Sequence, residues 1–329
     1  MSTQTIDILL QLRDYMNSDE PAWLQAQELA ERQNAWFTAE FIREASRAIV
    51  QGYLDEQSLK AFAAKYPALP SPGKQVGIVM AGNIPMVGFH DLLCGILSGH
   101  TIHLKLSSKD EVLMRHMVQQ LQAWSPELQN RIRISDMLKG LDAYIATGSN
   151  QSAGYFRYYF GKYPNLIRRN RTSVAILEGK ESEAELLALA DDVYRYFGLG
   201  CRNVTKGYVP EGYSFEPLLQ TFRAYDRLKD HNKYRNNLDY QLALYILNGQ
   251  VYMSNESLLL IENASLFSPV SVLHYESYRD REALETALHE HDDIQAIAGN
   301  RHIPFGQLQT PGLEDFADGV NTMNFLLSL

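Results

Sequence analysis

Cysteine is nearly absent from this chain. Two cysteines in 329 residues exclude a disulfide framework and point to a reducing compartment. There is no excess of positive charge: 30 Lys and Arg stand against 39 Asp and Glu, a formal charge of −9 with a pI near 5.5. That balance argues against a nucleic-acid binder, which needs a basic surface. No apolar run approaches the roughly 18–20 residues of a membrane span. The first residues lack the basic start, apolar core and cleavage site of a secretory leader, so a cytoplasmic protein is expected. Nine histidines fall into no HExxH or Cys/His metal spacing, and no metal is expected. A GxGxxG fingerprint, internal repeats and low-complexity segments are also missing.

What remains is ordinary globular composition, 45% hydrophobic and 21% charged, over a length that suits two domains. Residues 1–70 read as helices. Pro21 suits a first helical turn, and Phe41, Ile42, Ala45, Ile49 and Tyr53 recur at helical spacing, a packing face. Pro67, Pro70, Pro72 and Gly73 form a breaker cluster and a boundary. A strand is then expected over 75–80, a helix over 86–97, a strand at TIHLKL, a helix over 109–124, and a strand at AYIAT ending in Gly148-Ser149. Strand and helix alternating at this spacing predict a parallel sheet covered by helices. Ligands bind beyond the C-terminal ends of such strands. Asn83, Lys105 with Ser107 and Ser108, and Thr147 with Gly148 and Ser149 would therefore share one rim. A strand at TSVAILEG, a Glu- and Ala-rich helix, and a strand at VTKGYVP begin a second α/β unit.

The stretch GLGCRNV carries the most chemical information. Cys94 lies within the apolar helix FHDLLCGIL and reads as core. Cys201 instead sits on a Gly-Leu-Gly turn beside Arg202. Thiolate is the nucleophilic form of cysteine, and a polar turn with a neighbouring cation favours it. The bland alternative is a half-buried cysteine filling a gap. Asn83 is either an oxyanion donor or a turn asparagine bonded to its own backbone.

The segments AGNIP, GHTIHLKLS, ATGS and GLGCR, in this order and approximate spacing, resemble the aldehyde dehydrogenase superfamily. Its counterparts are a W-N-F-P-like loop, a G-N-T-x-x-x-K-P-S strand, a T-G-S turn and a G-Q-x-C nucleophile loop. The wording GNIPMVGFHDLLCGILSGH, KLSSKD, YFGLGCRNV and FADGVNTM is similar to the LuxC-like acyl-CoA reductases, its fatty-acid-reductase branch. The resemblance covers roughly residues 30–329 and implies an α/β fold of two domains, each with a mainly parallel sheet flanked by helices, after an N-terminal helical segment. The implied division is a helical segment over 1–70 packed on the cofactor domain, a cofactor domain over 71–178, a catalytic domain over 179–308, and a tail over 309–329 returning to the cofactor domain.

The implied activity is NADPH-dependent reduction of an acyl-CoA or acyl-protein thioester to aldehyde through an acyl-cysteine at Cys201. Asn83 and the Cys201 N–H would hold the oxyanion. Lys105, Ser107, Ser108, Thr147, Gly148 and Ser149 would bind the cofactor. Ser108 stands where many relatives carry a glutamate that grips the ribose 2′-hydroxyl, and Lys109 follows, so NADP(H) is expected. Glu178 is either a general base or a strand-end charge. Anchoring I-L-E-G-K on the family's E-L-G-G-K puts Ile176, not Glu178, at the base position. Ser265 replaces the glutamate of the E-I-F-G-P-V motif, a weaker grip on the nicotinamide ribose. The superfamily's G-S-T-x-x-G would place its last glycine at Ala153, one residue ahead of Gly154.

His90, His100 and His103 lie near these motifs; His90 is either a packing residue or an acid-base group. The stretch 232–240 is either an entrance to the site or a surface helix start. An acyl-protein synthetase or acyltransferase partner and a homo-oligomer are compatible with the resemblance. Oxidation of aldehyde to acid or acyl-CoA, and a catalytically silent acyl-carrying scaffold, are the alternatives.

Overall fold

The computed structural model describes residues 3–66 and 73–329. The prolines of the breaker cluster lie outside the described residues. The chain divides into two compact units. One is formed by residues up to Asn170 with Thr310–Leu329, the other by Arg171–Gln309.

The first unit opens with four helices, Thr3–Met16, Pro21–Gln33, Ala39–Gly52 and Glu56–Ala64. Pro21 stands in the first turn of its helix, where its missing N–H costs nothing. The Thr38 side chain caps the third helix by accepting the Phe41 N–H at 3.2 Å. The expected face at Phe41, Ile42, Ala45 and Ile49 is buried. Tyr53 ends that helix and lies 4.8 Å from the His90 ring. The first two helices pack on the helix Glu111–Trp124: the Tyr15 hydroxyl bonds His116 at 2.8 Å, and Trp23 stacks on the same ring.

Five parallel strands follow: β1 (Gln75–Val79), β2 (Thr101–Lys105), β3 (Ile132–Ile134), β4 (Ala143–Thr147) and β5 (Asn165–Arg168), in the order β3-β2-β1-β4-β5. β1 is buried from its second residue onward, as expected of a central parallel strand covered on both faces. The pattern reading misses β3 and β5, which span only three and four residues. The helix expected over 86–97 runs Phe89–Ser98. Met86 adopts a left-handed backbone (φ 56°) that a helix cannot contain, and its N–H donates to Asp110 Oδ2 at 2.6 Å. The C-terminal segment packs in this unit. The guanidinium of Arg168, 3% exposed, donates to Asp91 at 2.5 Å and to the Thr322 hydroxyl at 2.7 Å.

The second unit holds β6 (Thr172–Ile176), β7 (Val204–Pro210), β8 (Met253–Ser254), β9 (Leu259–Glu262), β10 (Val272–Tyr278) and β11 (Ile294–Ala298), in the order β11-β6-β7-β10-β9-β8. All pairs are parallel except β8 with β9. β6 therefore pairs in the second sheet, and the chain leaves the first sheet between residues 168 and 172, ahead of residue 178. Val174, Ile176, Tyr208, Ile294 and Ile297 form one face of its core. The fold is α/β, with two mainly parallel sheets flanked by helices and helices at the N-terminus.

Candidate functional site

Register aligns three strand ends in the first unit. Val79 at the end of β1 lies opposite Lys105 on β2 and Ala146 on β4, so the loops after them meet at one rim. The Met80 N–H donates to the Lys105 carbonyl at 3.0 Å. A Cβ at Gly82 would lie 2.5 Å from Ser107 Oγ; only glycine lets the Asn83 loop close on the Ser107 turn. Asn83, Lys105, Ser107, Ser108, Thr147, Gly148 and Ser149 thus belong to one edge of the sheet, with Asn83 and Ser107 half-buried and Lys105, Ser108 and Ser149 exposed.

Ser149 caps the helix Asn150–Phe160, its hydroxyl accepting the Ser152 N–H at 3.2 Å. A Cβ at Gly148 would lie 2.9 Å from the Phe156 ring, so that position too requires glycine. Thr147 Oγ1 is buried without a hydrogen-bond partner. A capped helix start, a side-chain-free approach and an unsatisfied hydroxyl suit an anionic group such as a cofactor diphosphate. Ala153 is buried within this helix while Gly154 faces open space.

Sequence reasoning missed Asp110. It is 2% exposed, and burial pushes its carboxyl well above the usual range although Met86 N–H bonds it. Through Met86 it fixes the far end of the Asn83 loop. The only sequence sign is an acid just ahead of a helix, which ordinarily reads as a cap; here its side chain makes no cap bond.

In the second unit, Cys201 sits half-buried on the turn before β7. Tyr196, Phe197 and Gly198 run successively left-handed, with φ of 53°, 56° and 73°. For the two aromatics this costs on the order of 1–3 kcal/mol each. Burial holds them: Phe197 is 2% exposed, with its ring 4.5 Å from His231 and 5.7 Å from Tyr234.

Asn203, fully buried, locks the turn. Its Oδ1 accepts the Gly200 N–H at 2.8 Å, and its Nδ2 donates to the carbonyls of Arg195 at 2.8 Å and Asp192 at 3.0 Å. From β6, Ser173 Oγ donates to the Cys201 carbonyl at 3.1 Å. An asparagine three residues past a turn glycine is a legible signal for such a lock; Ser173 left none. Gly198 and Val204, on either side of the turn, line a small cavity of about 20 Å³ with Tyr194, Phe197, Tyr234 and Val272.

Glu178 does not join this site, and its assignment as a base for the Cys201 thiol is corrected. β6 and β7 run parallel, with Ser173 opposite Val204 and Ile176 opposite Tyr208. Cys201 precedes β7 and Glu178 follows β6, so they lie at opposite ends of the sheet. The strand from Ser173 to Glu178 alone spans roughly 16 Å at about 3.3 Å per residue. Glu178 is also paired with Lys180 at 2.8 Å and with Arg281, and these bonds lower its carboxyl to about 2. It is a strand-end charge in an ionic cluster.

The other singled-out residues have structural partners. Cys94 is fully buried, and burial raises its thiol far above the usual value. His90 is buried on the Leu313 carbonyl at 3.0 Å. His100 accepts the Lys74 N–H at 3.0 Å and donates to the Leu326 carbonyl at 2.8 Å. His103 bonds Gln75 at 2.9 Å. Burial lowers the pKa of both His100 and His103. Ser265 is tied within its own turn, its N–H donating to Asn263 at 2.8 Å. Residues 232–240 open the helix Asn232–Leu247.

No protein-family model matches the chain, and no curated protein matches its sequence. Solved structures do match in shape. Aldehyde dehydrogenase 21 from Physcomitrella patens, solved with succinate, superimposes with a TM-score of 0.67 at 12% identity, covering 90% of this chain and 73% of that one. An NAD-dependent benzaldehyde dehydrogenase from Corynebacterium glutamicum gives 0.63 at 11%, covering 90% and 75%. An indole-3-acetaldehyde dehydrogenase complexed with NAD+ gives 0.61 at 13%, covering 93% and 73%. This chain has the aldehyde dehydrogenase fold. Among the described residues, no helix is long and apolar enough to cross a membrane, and no group of three His, Cys, Asp or Glu is placed to hold a metal ion.

Proposed function

We propose that this chain is an oxidoreductase of the aldehyde dehydrogenase type that reduces an acyl thioester, acyl-CoA or acyl-protein, to the aldehyde, with Cys201 as the covalent carrier. The observation that carries this reading is the Cys201 turn: a half-buried thiol on a backbone pinned by Asn203 and Ser173. A cysteine kept for packing needs no such turn, and Cys94 in the same chain sits within a regular helix.

The Cys201 thiolate attacks the thioester carbonyl, and the Cys201 N–H donates to the tetrahedral oxyanion; Asn83 is the side-chain amide that the resemblance assigns as an oxyanion donor. CoA leaves as its thiolate, and the acyl group stays on sulfur. One thioester is exchanged for another fixed in place for reduction. Removing one oxyanion donor costs about 3–4 kcal/mol of transition-state stabilisation. A nicotinamide cofactor, when bound, supplies the hydride. Lys105, Ser107, Ser108, Thr147, Gly148 and Ser149 are the residues that would hold it. Ser108 and Lys109, in place of a carboxylate, favour NADP(H). A cytoplasmic setting fits a thiol that must stay reduced.

Two observations support the reductive direction over aldehyde oxidation to acid. Glu178 stands at the wrong end of its strand to activate water at Cys201, and its ion pairs hold it near pKa 2. The dehydrogenase names of the structural neighbours favour the second reading, oxidation of an aldehyde. Intact-protein mass spectrometry after exposure to a panel of acyl-CoAs decides between them. Addition of the acyl mass to the wild type but not to Cys201→Ala is expected. No adduct with any acyl-CoA, together with aldehyde-dependent NAD(P)+ reduction without CoA, would establish the oxidative reading. A Cys201 adduct with no NADPH-dependent release of aldehyde would leave the acyl-carrying scaffold alternative.

A further inference from the structure

Lys206 is a buried charge that no step above uses. It stands on β7, a few residues past Cys201, and is 0% exposed. Burying an ammonium is costly, and an apolar side chain of similar volume serves packing as well or better. Its partners show what the charge holds. Nζ donates to the half-exposed Glu276 carboxylate at 2.6 Å and to the Ala264 carbonyl at 2.8 Å. The next two carbonyls are held as well. His274, opposite Lys206 on β10, donates Nδ1–H to Ser265 O at 2.9 Å, and the Thr205 hydroxyl donates to Leu266 O at 2.6 Å. Three consecutive carbonyls each take a side-chain donor from β7 or β10. Asn263, Ala264 and Ser265 are exposed and small or polar, so apolar packing cannot fix this turn. The hydrogen bonds do.

The turn leads into the surroundings of Cys201. Ser268, Pro269, Val270 and Ser271 line the small cavity at the Cys201 turn together with Gly198, Val204 and Thr205. Thr205 Oγ1 also lies 2.5 Å from Thr172 Oγ1, and the adjacent Ser173 holds the Cys201 carbonyl. Two sets of bonds therefore act side by side. Asn203 and Ser173 pin the turn that carries the thiol. Lys206, His274 and Thr205 pin the segment that forms the wall next to it.

Resting on the acyl-cysteine reading above, we infer that Lys206 is a positioning residue that keeps this wall closed to water while an acyl group is on sulfur. A thioester at Cys201 has two fates. Reduction gives the aldehyde. In hydrolysis the water oxygen bonds the acyl carbon, the C–S bond breaks, a water proton goes to sulfur and the carboxylic acid leaves. Excluding water is how a site protects such an intermediate, and side chains locked by supporting hydrogen bonds are what keep a site in shape. A wall held at three successive carbonyls must break several bonds at once to open. An ammonium kept to activate the thiol would act on acylation instead.

Intact-protein mass spectrometry without nucleotide tests this. The full chain is loaded with octanoyl-CoA, freed of it by gel filtration, and the acyl mass is followed over time in the wild type, Lys206→Met and Thr205→Val. Methionine keeps the length of the lysine and valine the shape of the threonine, so one variant serves if the other misfolds; far-UV circular dichroism checks both. Loading is expected at the wild-type rate, because Asn203 and Ser173 still pin the turn. In Lys206→Met the acyl mass should disappear roughly tenfold faster, the worth of one hydrogen bond from a charged donor, with octanoic acid released. Thr205→Val should show the same effect, smaller. Amide hydrogen exchange over residues 263–268 should quicken in both, and not in Lys229→Met, the same change at a lysine paired with Glu256 on the surface. An unchanged acyl lifetime in both variants would overturn the inference. So would slower loading at an unchanged lifetime, which is thiol activation, or a change in loading and lifetime together, which is a general loosening of the second unit. Loading of the wild type by 4-nitrophenyl octanoate but not by octanoyl-CoA would overturn the acyl-CoA reading, and the same comparison of lifetimes would still decide the role of Lys206. Loading by neither would overturn both.

Discussion

Replacing Asn203 by alanine tests the structural logic of the Cys201 turn. The carboxamide bonds one N–H and two carbonyls at 2.8–3.0 Å in a fully buried setting. Alanine leaves the Gly200 N–H and the carbonyls of Arg195 and Asp192 without this partner. Each buried group left unsatisfied costs about 1–3 kcal/mol. Three such groups set an upper range of roughly 3–9 kcal/mol, and relaxation with water entry brings the expected loss to about 3 kcal/mol. The turn also carries left-handed Tyr196 and Phe197, whose strain is released when the lock opens, so the loss should concentrate here. Trp23, Trp36 and Trp124 all lie in the first unit, so indole fluorescence would miss it. Far-UV ellipticity against urea is the assay, read as a lower midpoint at unchanged slope. In parallel, iodoacetamide labelling of Cys201 should lose its dependence on the folded state. Asn203→Asp should do no better than alanine at neutral pH, because it faces two carbonyl oxygens with another oxygen. A stability loss below about 1 kcal/mol, with Cys201 labelling unchanged, would refute the lock.

Three further outcomes follow from the same structure. Iodoacetamide with peptide mapping should modify Cys201 in the folded chain and leave Cys94 unmodified until denaturant is added; modification of Cys94 at equal rate would contradict its full burial and raised thiol pKa. Glu178→Gln should leave the pH dependence of Cys201 alkylation unchanged while removing a stability term. The Glu178 carboxyl is depressed in the folded state, to about 2, against about 4.3 in an unfolded chain. Its contribution is therefore complete above about pH 4.3 and lost as pH falls toward 2, so the wild-type and variant urea midpoints should converge only in acid. Arg168→Leu leaves Asp91 as an unpaired charge in the first unit, and should cost about 3–5 kcal/mol by urea denaturation; a loss under about 1 kcal/mol would show that the pair contributes little.

Much of the architecture was legible along the chain because its signals are local. Short apolar runs separated by helical periods, as in QVGIVM and AYIAT, need no distant partner to identify them, and a parallel sheet follows from their alternation. The same local reading placed Cys94 in a core helix, and Asn83, Lys105 and Ser149 at strand ends. Strands of three and four residues, β3 and β5, carry too little pattern to stand out from their surroundings. The late start of the helix at Phe89 depended on Met86 meeting Asp110, a contact no local pattern announces.

Glu178 shows most clearly where sequence stops. Linear spacing set it beside the I-L-E-G-K match and 23 positions before Cys201, which is compatible with contact. Parallel pairing of β6 and β7 then put the end of one strand and the start of the next at opposite edges of the sheet. The residue types, the strand and helix rhythm and the polar strand ends were decided by the order of amino acids, because each rests on neighbours within a few residues. Which of those side chains share a site was decided only by tertiary structure, because strand direction and register, not separation along the chain, set the distances between them.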